Sequence, residues 1–90
     1  MKLSDKARIP HEVLARIVGD ETVMLDLANG TYFGLDPVGT RIWALLGEGR
    51  TLADICAVMV EEFDVSRDVI ERDLQRLTEE LLSRGLIVLE

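Results

Sequence analysis

Ninety residues make one domain, and a chain of this length buries only about 60% of the surface its unfolded form exposes, which leaves room for one core and argues against an extensive internal active site. The formal charge of −7 and the scattered basic residues put the chain at a disadvantage as a nucleic-acid binder, because phosphate neutralisation supplies most of that affinity. No apolar run is long enough to span a bilayer, residues 1–10 lack the apolar stretch of a secretory signal, and the lone Cys56 cannot form an intramolecular disulfide, so a cytoplasmic location is expected.

Residues 1–12 are polar, mixed in charge and interrupted by Pro10, and read as a flexible N-terminal arm ahead of a folded domain at 13–90. Residues 13–18 alternate apolar and less apolar side chains. Gly19-Asp20-Glu21 supplies a turn, and residues 22–27 repeat the strand pattern, which predicts an antiparallel hairpin. Ala28-Asn29-Gly30 then leads into a third strand at 31–35. Two registers are open. A two-residue Asn29-Gly30 loop sets Leu27 against Tyr32, and a three-residue loop ending in Gly30 sets Leu27 against Thr31. The second is preferred, since it collects Val23, Leu25, Leu27, Phe33 and Leu35 on one face and leaves Met24, Asp26, Tyr32 and Gly34 on the other.

Asp36-Pro37 is a helix start: the carboxylate can accept from an orphan amide, and proline at the first helical position sacrifices no hydrogen bond. Val38, Ile42, Leu45 and Leu46 follow at helical spacing, with Trp43 as a core anchor, and Gly47-Glu48-Gly49 ends the helix. Thr51 and Asp54 resemble a capping box ahead of a stripe of Leu52, Ile55, Cys56, Met59 and Phe63. Ser66 caps a longer third helix with Ile70, Leu74, Leu77 and Leu81 on one side, ended by Gly85. Residues 86–89 form an apolar tail against the core. The order predicts an α+β fold, winged helix-turn-helix-like, with a three-stranded antiparallel sheet followed by three helices.

No catalytic constellation, metal-ligand spacing or cofactor motif is present. His11 is the single histidine and lies in the arm, Cys56 falls on a core stripe, and the glycines match no phosphate-binding loop. Neither an enzyme nor a cofactor is expected. The remaining asset is the third strand. If it ends the sheet, its free edge can take up an extended peptide.

Residues 13–89 resemble the PqqD-like proteins, the small recognition domains for ribosomally synthesised precursor peptides. The resemblance rests on LDLANGTYFGLDPVGTRIWALLGEGRTLADI, on EEFDVSRDVIERDLQRLTEELLSRGLI, and on their order and spacing. It implies a non-catalytic adaptor that binds the leader segment of a precursor peptide and presents it to a cognate modifying enzyme or leader peptidase. Asp36 stands where coenzyme-PQQ members commonly carry asparagine, and the tail lacks their frequent tryptophan. These departures favour a stand-alone leader-binding protein such as that of a lasso-peptide pathway. In this reading the leader adds a strand to Thr31, Tyr32, Phe33, Gly34 and Leu35 and sends alternate side chains towards Val69, Arg72, Asp73, Arg76, Leu77 and Glu80 of the third helix. The expected state is a monomer or weak dimer without nucleic-acid or membrane partners. Two other readings stand beside it: an acidic winged-helix DNA-binding or transcription-regulatory module, and a structural dimerisation subunit.

Overall fold

The computed structural model describes residues 2–90. Its elements run β1 (Ala7–Arg8), β2 (Val13–Val18), β3 (Glu21–Asp26), β4 (Thr31–Leu35), α1 (Pro37–Gly47), α2 (Leu52–Glu62), α3 (Arg67–Ser83) and β5 (Val88–Leu89). Strands β2, β3 and β4 form an antiparallel sheet in that spatial order, and the three helices follow, as the sequence predicts. A second, two-stranded sheet pairs β1 with β5.

That small sheet corrects the loose-arm expectation. Ala7 pairs with Leu89 and Arg8 with Val88. The arm is also tied to α2, since the amides of Leu52 and Ala53 donate to the carbonyls of Asp5 (3.0 Å) and Leu3 (2.8 Å). These bonds satisfy first-turn amides that α2 itself leaves without partners. The apolar tail is thus held on β1, with Leu86 and Ile87 in the core, and it stays away from β4.

The β3–β4 register also differs from the preferred one. Asp26 pairs with Thr31, Met24 with Phe33 and Thr22 with Leu35, across a four-residue loop. The inward face of β3 therefore carries Thr22, Met24 and Asp26, all buried, while Val23 and Leu27 point outward and are exposed. Counting apolar residues chose the wrong face because the two inward polar residues are hydrogen-bonded within the fold. The Asp26 carboxylate accepts from the Ala28 amide (3.0 Å) and the Asn29 side chain (2.7 Å), which builds the turn locally, and the Thr22 hydroxyl bonds that of Thr40 on α1 (2.8 Å). Gly30, at φ 66°, supplies the left-handed residue that closes the loop. On β4 itself the expected split holds: Phe33 and Leu35 face inward, and Tyr32 faces out at 72% exposure.

The helices start where their caps place them. Asp36 accepts from the Gly39 amide (2.7 Å), Thr51 from Asp54 (3.1 Å) and Ser66 from Val69 (3.4 Å). At the end of α3 the Leu86 amide donates to Leu81 and the Gly85 amide to Leu82, the paired bonds of a Schellman turn. The predicted stripes make the core: Ile42, Leu45 and Leu46 with Trp43 from α1, Leu52, Ile55, Cys56 and Met59 from α2, and Ile70, Leu74 and Leu81 from α3. Arg41 on α1 and Glu62 on α2 form a bidentate surface pair, with both bonds at 2.7 Å. The side-chain hydrogen bond to Arg41 holds the Glu62 carboxyl below its ordinary range.

Candidate functional site

Among the described residues, strand β4 pairs on one side with β3 and on the other with no strand. Which of its backbone groups are free follows from the hairpin. The Asp26 carbonyl accepts from the Gly30 amide (2.7 Å), so Asp26 faces β4, whereas the Leu27 amide donates to Glu12 (2.9 Å) on the β2 side. In an antiparallel ladder these directions alternate. Asp26–Thr31, Met24–Phe33 and Thr22–Leu35 are therefore the bonded pairs, and the amides and carbonyls of Tyr32 and Gly34 point to the open margin.

Beside that margin lies a groove of about 390 Å³ between β4, α1 and α3. Phe33, Gly34 and Leu35 line it from the strand, Asp36, Val38, Gly39 and Ile42 from the start of α1, and Asp73, Arg76, Leu77 and Glu80 from α3. The α3 residues recur at i, i+3, i+4 and i+7, one face of a helix. Phe33, Leu35, Val38, Ile42 and Leu77 give the groove apolar carbon, and Asp36, Asp73, Arg76 and Glu80 give it charge. Asp73 pairs with Arg76 (3.3 Å) and Glu80 with Arg84 (3.5 Å), while the Arg84 guanidinium sits 4.8 Å from the centroid of the Phe33 ring. Asp36 is committed through one oxygen to the helix cap. With three carboxylates against Arg76 and the bordering Arg84, the surround is net acidic.

Of the residues anticipated from sequence, Phe33, Gly34, Leu35, Asp73, Arg76, Leu77 and Glu80 come together in the groove. Thr31, Tyr32, Val69 and Arg72 do not line it: Tyr32 points to the opposite face of the sheet, and Val69 and Arg72 lie exposed nearer the start of α3. The α1 wall was not anticipated. Its signal is Gly39, an unfavourable residue inside a helix by about 1 kcal/mol. A Cβ there would meet Leu35 side-chain carbons at 3.2 and 3.3 Å and the Asp36 carboxylate at 3.2 Å, so α1 lies close against the end of β4 at this residue. The two elements are joined by Asp36 alone, which forces the helix start to flank the strand.

Among the described residues no three His, Cys, Asp or Glu side chains are grouped to hold a metal, and no helix is long and apolar enough to cross a membrane. Cys56 is fully buried, and desolvation pushes its thiol pKa up, the opposite of an activated nucleophile.

Comparison with known proteins agrees with this architecture. No curated protein matches the chain. Two solved structures do. TbiB1 in complex with the TbiA(beta) leader peptide is 41% identical with a TM-score of 0.84, over 89% of this chain and 93% of that one. A lasso peptide synthetase B1 complexed with the leader peptide is 26% identical with a TM-score of 0.85, over 92% and 98%. The model of the family described as coenzyme PQQ synthesis protein D (PqqD) matches residues 21–87. A three-stranded sheet followed by three helices and a sequence match across most of its length place the chain in the PqqD family.

Proposed function

We propose that this protein is a non-catalytic adaptor that binds the leader segment of a ribosomally made precursor peptide and presents it to a cognate modifying enzyme or leader peptidase. The observation that carries the proposal is the unpaired margin of β4 lying directly beside a groove of apolar and charged side chains, in a fold shared with two proteins solved in complex with leader peptides. An extended leader antiparallel to β4 pairs with Tyr32 and Gly34, whose free groups allow about four backbone hydrogen bonds. At about 1 kcal/mol net each, these give about 4 of the roughly 8 kcal/mol that micromolar binding requires. Leader side chains packed on Phe33, Val38, Ile42 and Leu77 supply the rest, and with it the choice of leader, because backbone bonding is blind to sequence.

The DNA-binding reading gains no support. The exposed side of α3 mixes its arginines with Asp68, Asp73, Glu79 and Glu80, which a duplex would repel. The lone buried thiol suits the reducing cytoplasm.

Titration of isotope-labelled protein with the TbiA(beta) leader peptide tests the assignment. Amide resonances of residues 31–35 and of α3 from Asp73 to Glu80 are expected to move together. Shifts centred on β2 instead would overturn it.

A further inference from the structure

Alternation along β2, β3 and β4 gives the sheet an outer face, opposite the one packed by helices. Leu14, Leu25 and Tyr32 form one cross-strand row on it, and Arg16, Val23 and Gly34 form the next. The face is apolar and without cover: Leu14 is 52% exposed, Val23 44% and Tyr32 72%, with Val18 and Leu27 exposed towards its two ends. We propose that the protein free of its partners closes this face against the same face of a second copy, as a two-sheet sandwich about a twofold axis that runs along β3.

The area is sufficient for such a contact. The exposed parts of these five residues come to about 500 Å² per copy, roughly a tenth of the 5434 Å² that the chain presents to solvent. Two copies then bury about 1,000 Å², where specific interfaces begin and weak ones lie. A patch of this size is also at the upper end of what a soluble monomer leaves open.

The pattern of side chains is complementary to itself. In a twofold contact each residue meets the one that the axis carries onto it. An axis along β3 sets that strand on its own copy, so Val23 and Leu25 meet their counterparts, and it lays β2 over β4 of the second copy. Arg16, the longest side chain of its row, then enters the place above Gly34 of the second copy, where a Cβ would meet nothing within 4 Å. Its aliphatic stem and guanidinium come alongside Tyr32, and Leu14 packs on the same ring. Stacked sheets lie about 10 Å apart, a gap that admits a long side chain opposite a glycine. A copy of the chain suits this face better than an extended peptide does, because the face offers side chains only, its backbone being paired within the sheet. Both margins stay in the plane of the sheet, so the groove and the free groups of β4 remain open in the dimer.

Sedimentation equilibrium of the full chain, from about 10 μM to about 1 mM, reads the association directly. The wild type should pass from monomer towards dimer over this range, and further in about 0.5 M salt, because each copy carries a formal charge of −7 and screening relieves their repulsion. Val23→Lys, on the central strand and away from both margins, sets like charges together on the axis and should weaken the dimer more than tenfold. Gly34→Val adds apolar surface but fills the place that Arg16 needs, so it should weaken the dimer about fivefold, whereas an unspecific sticky patch would associate more tightly. Val69→Lys, at an exposed position on α3, should associate as the wild type does. Circular dichroism establishes folding, and Gly34→Val carries the test if Val23→Lys folds poorly. A wild type that stays monomeric to about 1 mM overturns the proposal and leaves the face to a different protein. Folded Val23→Lys with wild-type association overturns it in favour of pairing through the strand margins, and tighter association of Gly34→Val overturns the interlocked packing.

Discussion

Replacing Gly34 with proline tests the margin of β4 most directly, because it acts on a single backbone donor. The Gly34 amide points away from β3, so the exchange removes no bond of the native ladder. A strand added outside β4 loses the hydrogen bond from that amide, about 1 kcal/mol, and the pyrrolidine ring pushes against the guest carbonyl that had accepted it. A loss of about 1 to 2 kcal/mol is expected, a roughly five- to thirtyfold weaker dissociation constant. Gly34→Ala is the control. Its Cβ meets no atom within 4 Å and its amide remains, so its affinity should stay within about threefold of wild type. Isothermal titration with the TbiA(beta) leader, alongside circular dichroism to establish folding, provides the assay. Equal affinity of folded Gly34→Pro and wild type would refute the strand-addition argument, and an equal loss in both variants would show that the amide is not what matters.

Asp26→Ala removes two turn hydrogen bonds from a buried carboxylate and should lower stability by about 2 kcal/mol, a drop of about 10 °C in melting temperature; Asp20→Ala, an exposed turn residue, should leave it unchanged. Leu77→Ala and Leu74→Ala should separate groove from core: the first strips a half-buried groove wall and weakens leader binding about tenfold with little change in urea midpoint, and the second empties a fully packed site and lowers stability by about 3 kcal/mol. Burial raises the Cys56 thiol pKa, so the folded state holds its proton longer than the unfolded chain does. Its stabilising contribution is complete below the ordinary thiol value of about 8.5 and declines as pH rises beyond it. The urea midpoint of the wild type should therefore fall relative to Cys56→Ala on the alkaline side only, and the native thiol should resist iodoacetamide.

How much of this was legible in the sequence depends on whether the signal is local. Asp36, Thr51 and Ser66 each act within three residues, and the helices begin where these caps stand. The α3 wall of the groove was readable for the same reason, since Asp73, Arg76, Leu77 and Glu80 share a face by helical period alone. The face of β3 was not, because Thr22 is buried by a bond to Thr40, eighteen residues away, and apolar Val23 and Leu27 are left outside. Nor was the pairing of β1 with β5, two-residue strands from opposite ends of the chain whose partnership no pattern records. Gly39 held the missing clue to the α1 wall. A glycine within a helix is a local disadvantage, and the packing that repays it lies on the neighbouring strand.

The sheet has two open margins, and the groove walled by α1 and α3 lies beside one of them. By the same alternation that frees Tyr32 and Gly34 on β4, the outward groups of β2 belong to Ala15 and Ile17, since Glu12 bonds Leu27 across β3 and the Val13 amide is taken by Pro10. Both margins thus offer a guest the same number of backbone partners. They differ in what stands beside them. Five of the six residues of β2 are exposed, whereas the groove is lined from β4, α1 and α3 and by no residue of β2. On β4 the one-residue connection to α1 and the close approach at Gly39 set a helix against the strand, and α3 closes the other side. The groove so formed carries apolar Phe33, Leu35, Val38, Ile42 and Leu77 together with charged Asp36, Asp73, Arg76 and Glu80. The two margins thus differ through the helix packing around β4, to which the one-residue β4–α1 connection and the close approach at Gly39 contribute.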